Sequence, residues 1–151
     1  QQLWVAKRSK LKPTFPGKLD HLVAGGLPAG IPPMECVIKE CGEEASIPPE
    51  VARMSRPVGI ITYNANYQGF CKRDVLFCYD LELPVDFEPV PDDGEVECFE
   101  RYDVDRLMRC ISNTEEFKTN CAVVIIDWLV RHGYLSPEEP GYAPLVKSIR
   151  Q

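Results

Sequence analysis

The chain has 151 residues and 44% hydrophobic content, which is the length and composition of one globular domain with its own core. Charged residues make up 26% of the sequence, a share that excludes a collagen-like or disordered chain. The formal net charge of −6 argues against general nucleic-acid binding, which needs a basic surface. No apolar run approaches the roughly 20 residues of a membrane-spanning helix. From the charge and the hydropathy together, we expect neither nucleic acid nor a membrane as a partner.

The cysteines form no CxxC pair and lie mostly within apolar stretches. This pattern is typical of buried free thiols in a reducing compartment. We therefore expect a cytoplasmic protein, with an organelle such as the chloroplast or mitochondrion as the alternative if a targeting segment lies outside this sequence. Since the chain opens without methionine on a predicted core strand, we expect residues 1–151 to be a single domain from the C-terminal part of a longer protein.

The predicted elements alternate between strands and helices along the chain. Strands are expected at 3–7, 19–24, 57–63, 73–83 and 96–102. Helices are expected at 33–45, 104–111 and 120–132, and a hairpin connection at 64–69. This interleaving favours an α/β fold, with a mixed β-sheet between the 33–45 and 120–132 helices.

The helix expected at 33–45 begins with Pro33, which suits the first helical position. Its apolar residues recur at helical spacing and predict a stripe that faces the core. The remaining surface carries Glu40, Glu43 and Glu44 at i, i+3 and i+4, where like charges repel each other by roughly 0.2–0.5 kcal/mol per pair. A solvated acidic face is one interpretation of this cluster.

Two glycines just upstream of that helix favour a different interpretation. Gly25 and Gly26 follow a predicted strand, and glycine lets the backbone approach a ligand closely. Carboxylates beside exposed carbonyl oxygens are the hard ligands that Mg²⁺ selects. A divalent-metal site is therefore the favoured prediction for this region.

Residues 25–47 resemble the Nudix box, whose pattern is G-x5-E-x7-R-E-U-x-E-E-x-G-U with U an aliphatic residue. Gly25 falls on the box glycine, and the three glutamates of the predicted helix fall on the helix glutamates of the box. Three positions depart from the pattern where it has Glu, Arg and Gly: Ile31, Lys39 and Ser46. Lysine lacks the planar fork with which arginine orients a carboxylate.

Further segments resemble one Nudix subgroup, the plant and fungal hydrolases related to thiamine pyrophosphokinase that act as thiamine diphosphate phosphatases. These segments are 3–9, 14–17, 19–26, 73–80 and 120–133. The resemblance implies an α/β/α sandwich and a Mg²⁺ or Mn²⁺ cofactor. It also implies a small-molecule diphosphate substrate, either thiamine diphosphate or its oxidised oxo- and oxythiamine analogues, cleaved to the monophosphate and phosphate in metabolite repair.

The resemblance also implies the roles of the acidic residues. Glu43 and Glu44 are expected to bind the metal with help from a backbone carbonyl near Gly25, and Glu40 is a further ligand or the base. Many Nudix enzymes take another carboxylate from a later loop, and here Glu95 is favoured over Glu97. A solvated acidic turn is the alternative for that loop. The expected catalytic and metal-binding set is therefore Gly25, Glu40, Glu43, Glu44 and Glu95.

Substrate phosphates are expected to meet the basic residues near the start of the chain. Arg8 is the first candidate, because a guanidinium suits bidentate phosphate contact, and Lys18 lies in the same basic stretch. An exposed basic loop that binds nothing is the alternative. Arg73 is the second arginine candidate.

Four further residues complete the predicted substrate site. His21 and Gly26 lie in the same segment, and His21 either faces the cleft or makes a structural hydrogen bond. Tyr63 and Asn66 lie near the predicted hairpin end, where aromatic and amide groups suit a heteroaromatic ring. The expected partners are this substrate and a second copy of the chain in a homodimer.

Three alternatives to the thiamine subgroup are weighed. Residues 7–9 and 12–17 also resemble the opening of isopentenyl-diphosphate isomerases, but the strand around His21 lacks the cysteine that those enzymes need. A Nudix hydrolase acting on a nucleoside diphosphate linked to another group is the second. The third is a non-catalytic Nudix binding module, which the departures at Ile31, Lys39 and Ser46 favour and the retained glutamates oppose.

Overall fold

The computed structural model describes residues 1–67 and 69–149. Its elements in chain order are β1 (Gln2–Arg8), β2 (Leu19–His21), α1 (Pro33–Ala45), α2 (Pro49–Ala52), β3 (Arg56–Tyr67), β4 (Phe70–Asp80), β5 (Val96–Asp103), α3 (Val104–Asn113), α4 (Thr119–Arg131) and α5 (Tyr142–Ser148). Strands and helices interleave as predicted. Contacts divide the chain into two compact units: unit 1 holds residues 1–55 and 81–121, and unit 2 holds residues 56–80 and those from 122 onward.

Unit 1 contains a three-stranded antiparallel sheet in the order β2-β1-β5. Val5 and Ala6 are adjacent on β1 and both buried. Because neighbouring strand residues point to opposite faces, the central strand is covered on both sides. Its register places Ala6 opposite Asp20 and Val5 opposite His21. An isolated parallel bridge joins Leu19 to Phe117.

The second strand is shorter than predicted. The sequence indicates a strand over 19–24, but β2 ends at His21. The backbone N–H of Ala24 donates to a glutamate side chain of α1 rather than to a strand partner. Leu22 and Val23 pack against the buried cluster beside α1, so their apolar character reflects core packing.

Helix α1 has the predicted bounds. Cys41 and Ala45 from its apolar stripe form a buried cluster with Ile47 and Ala52. The helix ends at Ser46, which has a left-handed φ of 53°, and the N–H of Ile47 donates to the carbonyl of Cys41 over 3.0 Å. This is the C-terminal arrangement that usually takes glycine. Helix α2 follows at once and was not predicted, because four residues are too few to show a helical period.

Unit 2 contains the β3–β4 hairpin. The predicted connection at 64–69 is wrong, since the antiparallel ladder continues through Asn64 opposite Arg73 and Asn66 opposite Cys71. Strand β4 ends at Asp80 rather than at residue 83. Asp80 pairs with Arg131 of α4 at 2.8 Å. Helix α5 was also not predicted. Among the described residues, none of the helices has the length and apolar character needed to cross a membrane.

Candidate functional site

Glu44 is the most deeply placed of the three helix glutamates. Its side chain is buried among unit 1 residues, with 8% of the residue exposed. The N–H of Ala24 donates to its Oε2 over 3.0 Å. The helix therefore holds this carboxylate directly against the chain segment that follows β2.

The environment of Glu44 disfavours its ionised form. Burial raises its pKa to about 7, and the carboxylates of Glu40, Asp20 and Asp93 push in the same direction, while the hydrogen bond from Ala24 opposes them. A nearby cation would reverse this shift by compensating the carboxylate charge. Glu44 is therefore suited to hold either a proton or a cation.

Two carboxylates from the loop before β5 meet Glu44. One oxygen each from Glu44, Asp93 and Glu95 lies within 4.8 Å of the others. The N–H of Glu95 donates to Oδ1 of Asp93 over 2.8 Å, which fixes the two side chains relative to each other. Lys12 forms an ion pair with Glu95. Glu97 is the alternative predicted for this position, and its Oε1 forms an ion pair with Nζ of Lys7 over 3.6 Å.

Ser46 ties this loop to the end of α1. Its hydroxyl donates to the carbonyl of Val90 over 3.0 Å, and the N–H of Val90 donates to the carbonyl of Ala45 over 3.2 Å. These bonds hold the loop beside the helix that carries Glu44. The serine at this position therefore helps to set the geometry of the acidic group.

Glu40 and Glu43 differ from Glu44 in exposure. The side chain of Glu40 is 16% exposed and that of Glu43 is 53% exposed, and Lys39 pairs with both, at 3.3 Å and 2.5 Å. A Cβ added at Gly25 would clash with the carboxyl end of Glu40. Glycine at this position is thus what lets the backbone pass beside the Glu40 carboxylate.

Arg8 is held in place by contacts with β2 and with the loop that follows β1. Its Nη1 lies 2.7 Å from Oδ2 of Asp20. Its Nε donates to the carbonyl of Phe15 over 3.0 Å and its Nη2 to the carbonyl of Thr14 over 2.7 Å. The guanidinium therefore supports the fold of the basic loop as well as facing the cleft.

One cleft of unit 1 brings together four of the residues predicted from sequence. Its lining includes Arg8, His21, Glu44 and Glu95, together with Asp20. The surrounding protein lowers the pKa of His21 by burial, Asp20 opposes this shift, and the charge of Lys118 adds to it. His21 is therefore a neutral imidazole beside the carboxylates at neutral pH.

The other predicted residues have different surroundings. Lys18 donates from Nζ to the carbonyl of Glu115, so its ammonium is engaged at that carbonyl. The carbonyl of Gly26 accepts from the thiol of Cys36 over 3.5 Å. These contacts place both residues in unit 1 without directing them to the acidic group.

Three predicted residues belong to the hairpin of unit 2. The hydroxyl of Tyr63 donates to Oδ2 of Asp74 over 2.5 Å. The side-chain oxygen of Asn66 accepts from the N–H of Gly69 over 3.2 Å, and Arg73 is exposed on β4. Their substrate-binding roles stay predictions from sequence.

The sequence prediction omitted two acidic residues, Asp93 of the group around Glu44 and Asp20 of the cleft lining. Asp93 was visible in the acidic run that contains Glu95, but nothing in that run indicated which carboxylates turn toward α1. Asp20 gave no signal beyond its place in a predicted strand. An acidic residue in a predicted strand of mostly apolar residues is the pattern that could have drawn attention to it, since buried charges are paired.

The acidic group suits a hard divalent cation. Three carboxylates offer oxygen ligands, which Mg²⁺, Ca²⁺ and Mn²⁺ prefer, and one of them, Glu44, is a buried carboxylate whose charge a cation would compensate. The residues present therefore fit the cofactor class expected from the sequence.

Comparison with known families shows to which family the chain belongs. The NUDIX domain model matches residues 1–121. The chain belongs to the Nudix family. Membership supports the predicted enzyme class, a hydrolase acting on diphosphate bonds of small molecules, and family members generally use divalent metals.

Named relatives and a solved structure agree with this family. The chain is 50% identical over 149 residues to "Nudix hydrolase 24, chloroplastic" of Arabidopsis thaliana and 51% identical over 148 residues to "Nudix hydrolase 20, chloroplastic" of the same plant. Each match covers 98% of this chain and 40% of the relative. The chain thus spans about two fifths of the length of these relatives. A crystal structure from Deinococcus radiodurans matches with a TM-score of 0.61 and 21% identity, over 83% of this chain and 74% of that one, which confirms the α/β Nudix fold.

Proposed function

We propose that this Nudix chain hydrolyses a small-molecule diphosphate with the help of a divalent cation bound in the unit 1 cleft. The observation that carries the proposal is the group of three carboxylates from Glu44, Asp93 and Glu95, all within 4.8 Å of one another. Glu44 and Glu95 share a cleft with the cationic Arg8. Carboxylates and a guanidinium in one cleft suit a substrate that carries phosphates together with a metal ion.

We propose Mg²⁺ as the cation, with Mn²⁺ as the alternative, because the donors are all hard carboxylate oxygens. Glu44, Asp93 and Glu95 would hold it, and the carbonyl of Gly25 is the proposed backbone ligand. The helix glutamates Glu40 and Glu43 are the further candidates. When bound, the cation would neutralise diphosphate charge and act as a Lewis acid.

The side chains of the chain itself have separate proposed roles. Glu40 is the proposed general base, since its carboxylate is 16% exposed and packs beside the chain at Gly25. Arg8 lines the cleft and would bind a phosphate there. His21, neutral and beside Glu44, would donate a hydrogen bond to the substrate. Lys18 and Gly26 are the remaining proposed contacts in unit 1.

We propose thiamine diphosphate and its oxidised analogues as the substrates, with the monophosphate and phosphate as products. The support is the resemblance of five segments of the chain to the thiamine diphosphate phosphatase subgroup. Tyr63, Asn66 and Arg73 are the residues proposed for the remaining substrate contacts. A role in removing damaged cofactor follows from this choice of substrate.

We propose an organelle, rather than the cytoplasm, as the location. The two Arabidopsis relatives bear the word chloroplastic in their names, which favours the organelle alternative. A homodimer is the proposed assembly, and its mass in solution would test it.

A substrate panel tests the proposed activity. Release of phosphate and of monophosphate is measured with Mg²⁺ on thiamine diphosphate, oxothiamine and oxythiamine diphosphates, ADP-ribose and nucleoside diphosphates. We expect preferential cleavage of the thiamine compounds. Preference for ADP-ribose or a nucleoside diphosphate would overturn the substrate and retain the reaction class, and no cleavage of any of them would contradict the activity of this chain.

A further inference from the structure

Asp20 of β2 pairs with two basic side chains, Arg8 and Lys118, through one carboxylate oxygen. Nη1 of Arg8 lies 2.7 Å and Nζ of Lys118 lies 3.4 Å from its Oδ2. The three side chains are 8%, 11% and 19% exposed for Asp20, Arg8 and Lys118. Because one carboxylate balances only one of the two positive charges, the cluster carries an excess positive charge in a mostly buried position.

The other oxygen of Asp20 is also engaged. Oδ1 accepts from the thiol of Cys121 and, over 2.9 Å, from the N–H of His21. Burial raises the pKa of Asp20, but Lys118, the Cys121 thiol and His21 outweigh it, so the pKa lies below its usual value. Asp20 is therefore a fixed anion at neutral pH, and its orientation is set from both sides.

The side chains of Arg8 and Lys118 differ in how many of their hydrogen-bond donors are already used within the protein. The guanidinium of Arg8 also donates to the carbonyls of Thr14 and Phe15. The ammonium of Lys118 has three donors, and its 3.4 Å contact with Asp20 is long beside the roughly 2.7–2.9 Å of a charge-assisted bond. Of the two side chains, Lys118 is therefore the one whose N–H donors can bind a ligand.

The cluster adjoins the candidate active site. Arg8, Asp20 and His21 line the cleft that contains Glu44. Nζ of Lys118 lies 3.4 Å from Oδ2 of Asp20, which places its ammonium beside that wall of the cleft, and its charge also acts on His21. An anion there would relieve the repulsion between the two cations, and the low dielectric of a partly buried site strengthens such an attraction.

We propose that Lys118 binds a phosphate group of the substrate and that Asp20 is the positioning residue that holds Lys118 and Arg8 for this contact. The choice of a diphosphate as the ligand rests on the proposed function. Lys118 stabilises the bound diphosphate through charge before and during reaction. Its loss therefore weakens substrate binding more than it slows the chemical step.

Steady-state kinetics with thiamine diphosphate test the role of Lys118. We expect Lys118→Met to raise KM roughly tenfold, the equivalent of one lost charge-assisted hydrogen bond, with kcat changed by less than about twofold. Lys118→Arg keeps the charge and should recover most of the affinity. Lys147→Met is the matched control, because Lys147 is an exposed lysine of α5. Equal KM values for Lys118→Met and Lys147→Met would overturn the proposal.

A second measurement uses the unmodified protein and remains decisive if Lys118→Met does not fold. Inorganic diphosphate is titrated into protein with isotope-labelled lysine, and the Lys118 side-chain NMR signal is identified by its loss in Lys118→Arg. A saturable shift of that signal supports the proposal, and an unmoved signal at saturating diphosphate overturns it. If the signal shifts but thiamine diphosphate is not cleaved, the anion site stands and the proposed function fails.

Discussion

The carboxylate of Glu44 accepts a 3.0 Å hydrogen bond from the backbone N–H of Ala24. This bond joins helix α1 to the chain that leaves β2. It satisfies a backbone donor that would otherwise need a strand partner, and it keeps one oxygen of a buried carboxylate in a fixed place. Glu44 therefore has both a structural and a proposed metal-binding role.

The stability of the metal-free protein should depend on the protonation of Glu44. Its pKa of about 7 in the folded protein exceeds its usual value of 4.5. The protonated carboxyl therefore contributes stability that is fully present below pH 4.5 and is lost as the pH rises through 7. We expect Glu44→Gln to reduce this decline by about 2–3 kcal/mol between pH 4.5 and 8. Urea unfolding in the presence of EDTA measures the free energy of unfolding at each pH, and Glu43→Gln is the control at an exposed glutamate. If stability falls as steeply with pH in Glu44→Gln as in the unmodified protein, the raised pKa does not belong to Glu44.

Gly25 should be needed for activity more than for stability. A Cβ at this position would displace the flexible end of Glu40, which can move at little cost to the fold. We expect Gly25→Ala to lower kcat at least about tenfold, because general-base catalysis contributes roughly 10²–10⁴-fold, while the unfolding midpoint changes little. Gly42→Ala is the control, because its added Cβ meets open space on α1, the helix that carries Glu40. Unchanged turnover in Gly25→Ala would argue against a role for Glu40.

Ser46 offers a test of the link between α1 and the acidic loop. Alanine keeps the left-handed φ of 53° but loses the hydroxyl bond to Val90, and we expect it to destabilise the protein by about 1 kcal/mol. Glycine loses the same bond but relieves the backbone, because it adopts this conformation freely. We therefore expect Ser46→Gly to be closer to the unmodified protein in chemical denaturation. Equal losses for the two variants would show that backbone strain is unimportant here.

Lys12 should compete with the cation for Glu95. Its ammonium pairs with that carboxylate, so its removal frees a ligand and lowers the local positive charge. We expect Lys12→Met to tighten Mn²⁺ binding without substrate by about twofold to fivefold, the scale of a partly exposed ion pair. Calorimetric titration of Mn²⁺ measures this, and Lys10→Met, which removes one exposed lysine from the same loop, controls for net charge. Weaker Mn²⁺ binding in Lys12→Met would contradict a metal role for Glu95.

The strongly periodic parts of the fold could be predicted from the sequence. Helix α1 has the predicted bounds because Pro33 and the apolar stripe specify its start and its buried face. Strand β3 was predicted too short and β4 was predicted to begin too late, because the polar Asn64 and Asn66 suggest a turn while the ladder includes them. Local composition indicates turn preference, but strand pairing depends on the residue opposite.

The candidate site was only partly predictable for a related reason. The spacing of the glutamates on α1 is local information, and it indicated Glu44. Asp93 comes beside Glu44, and Asp20 comes to the cleft, through tertiary contacts that no short pattern encodes. Lys118 meets Asp20 across 98 positions of sequence, a pairing that the folded chain alone makes evident.

Mg²⁺-dependent phosphate release from thiamine diphosphate by the unmodified chain and by Glu44→Gln tests the central claim most directly. Glutamine nearly preserves the size of the side chain and can still accept the bond from Ala24, but it lacks the ionisable carboxylate. We expect release that depends on Mg²⁺ in the unmodified chain and falls at least about a hundredfold in Glu44→Gln, the scale of losing one strong electrostatic group at an active site. Full turnover in Glu44→Gln at saturating Mg²⁺ would contradict the metal-binding role of Glu44.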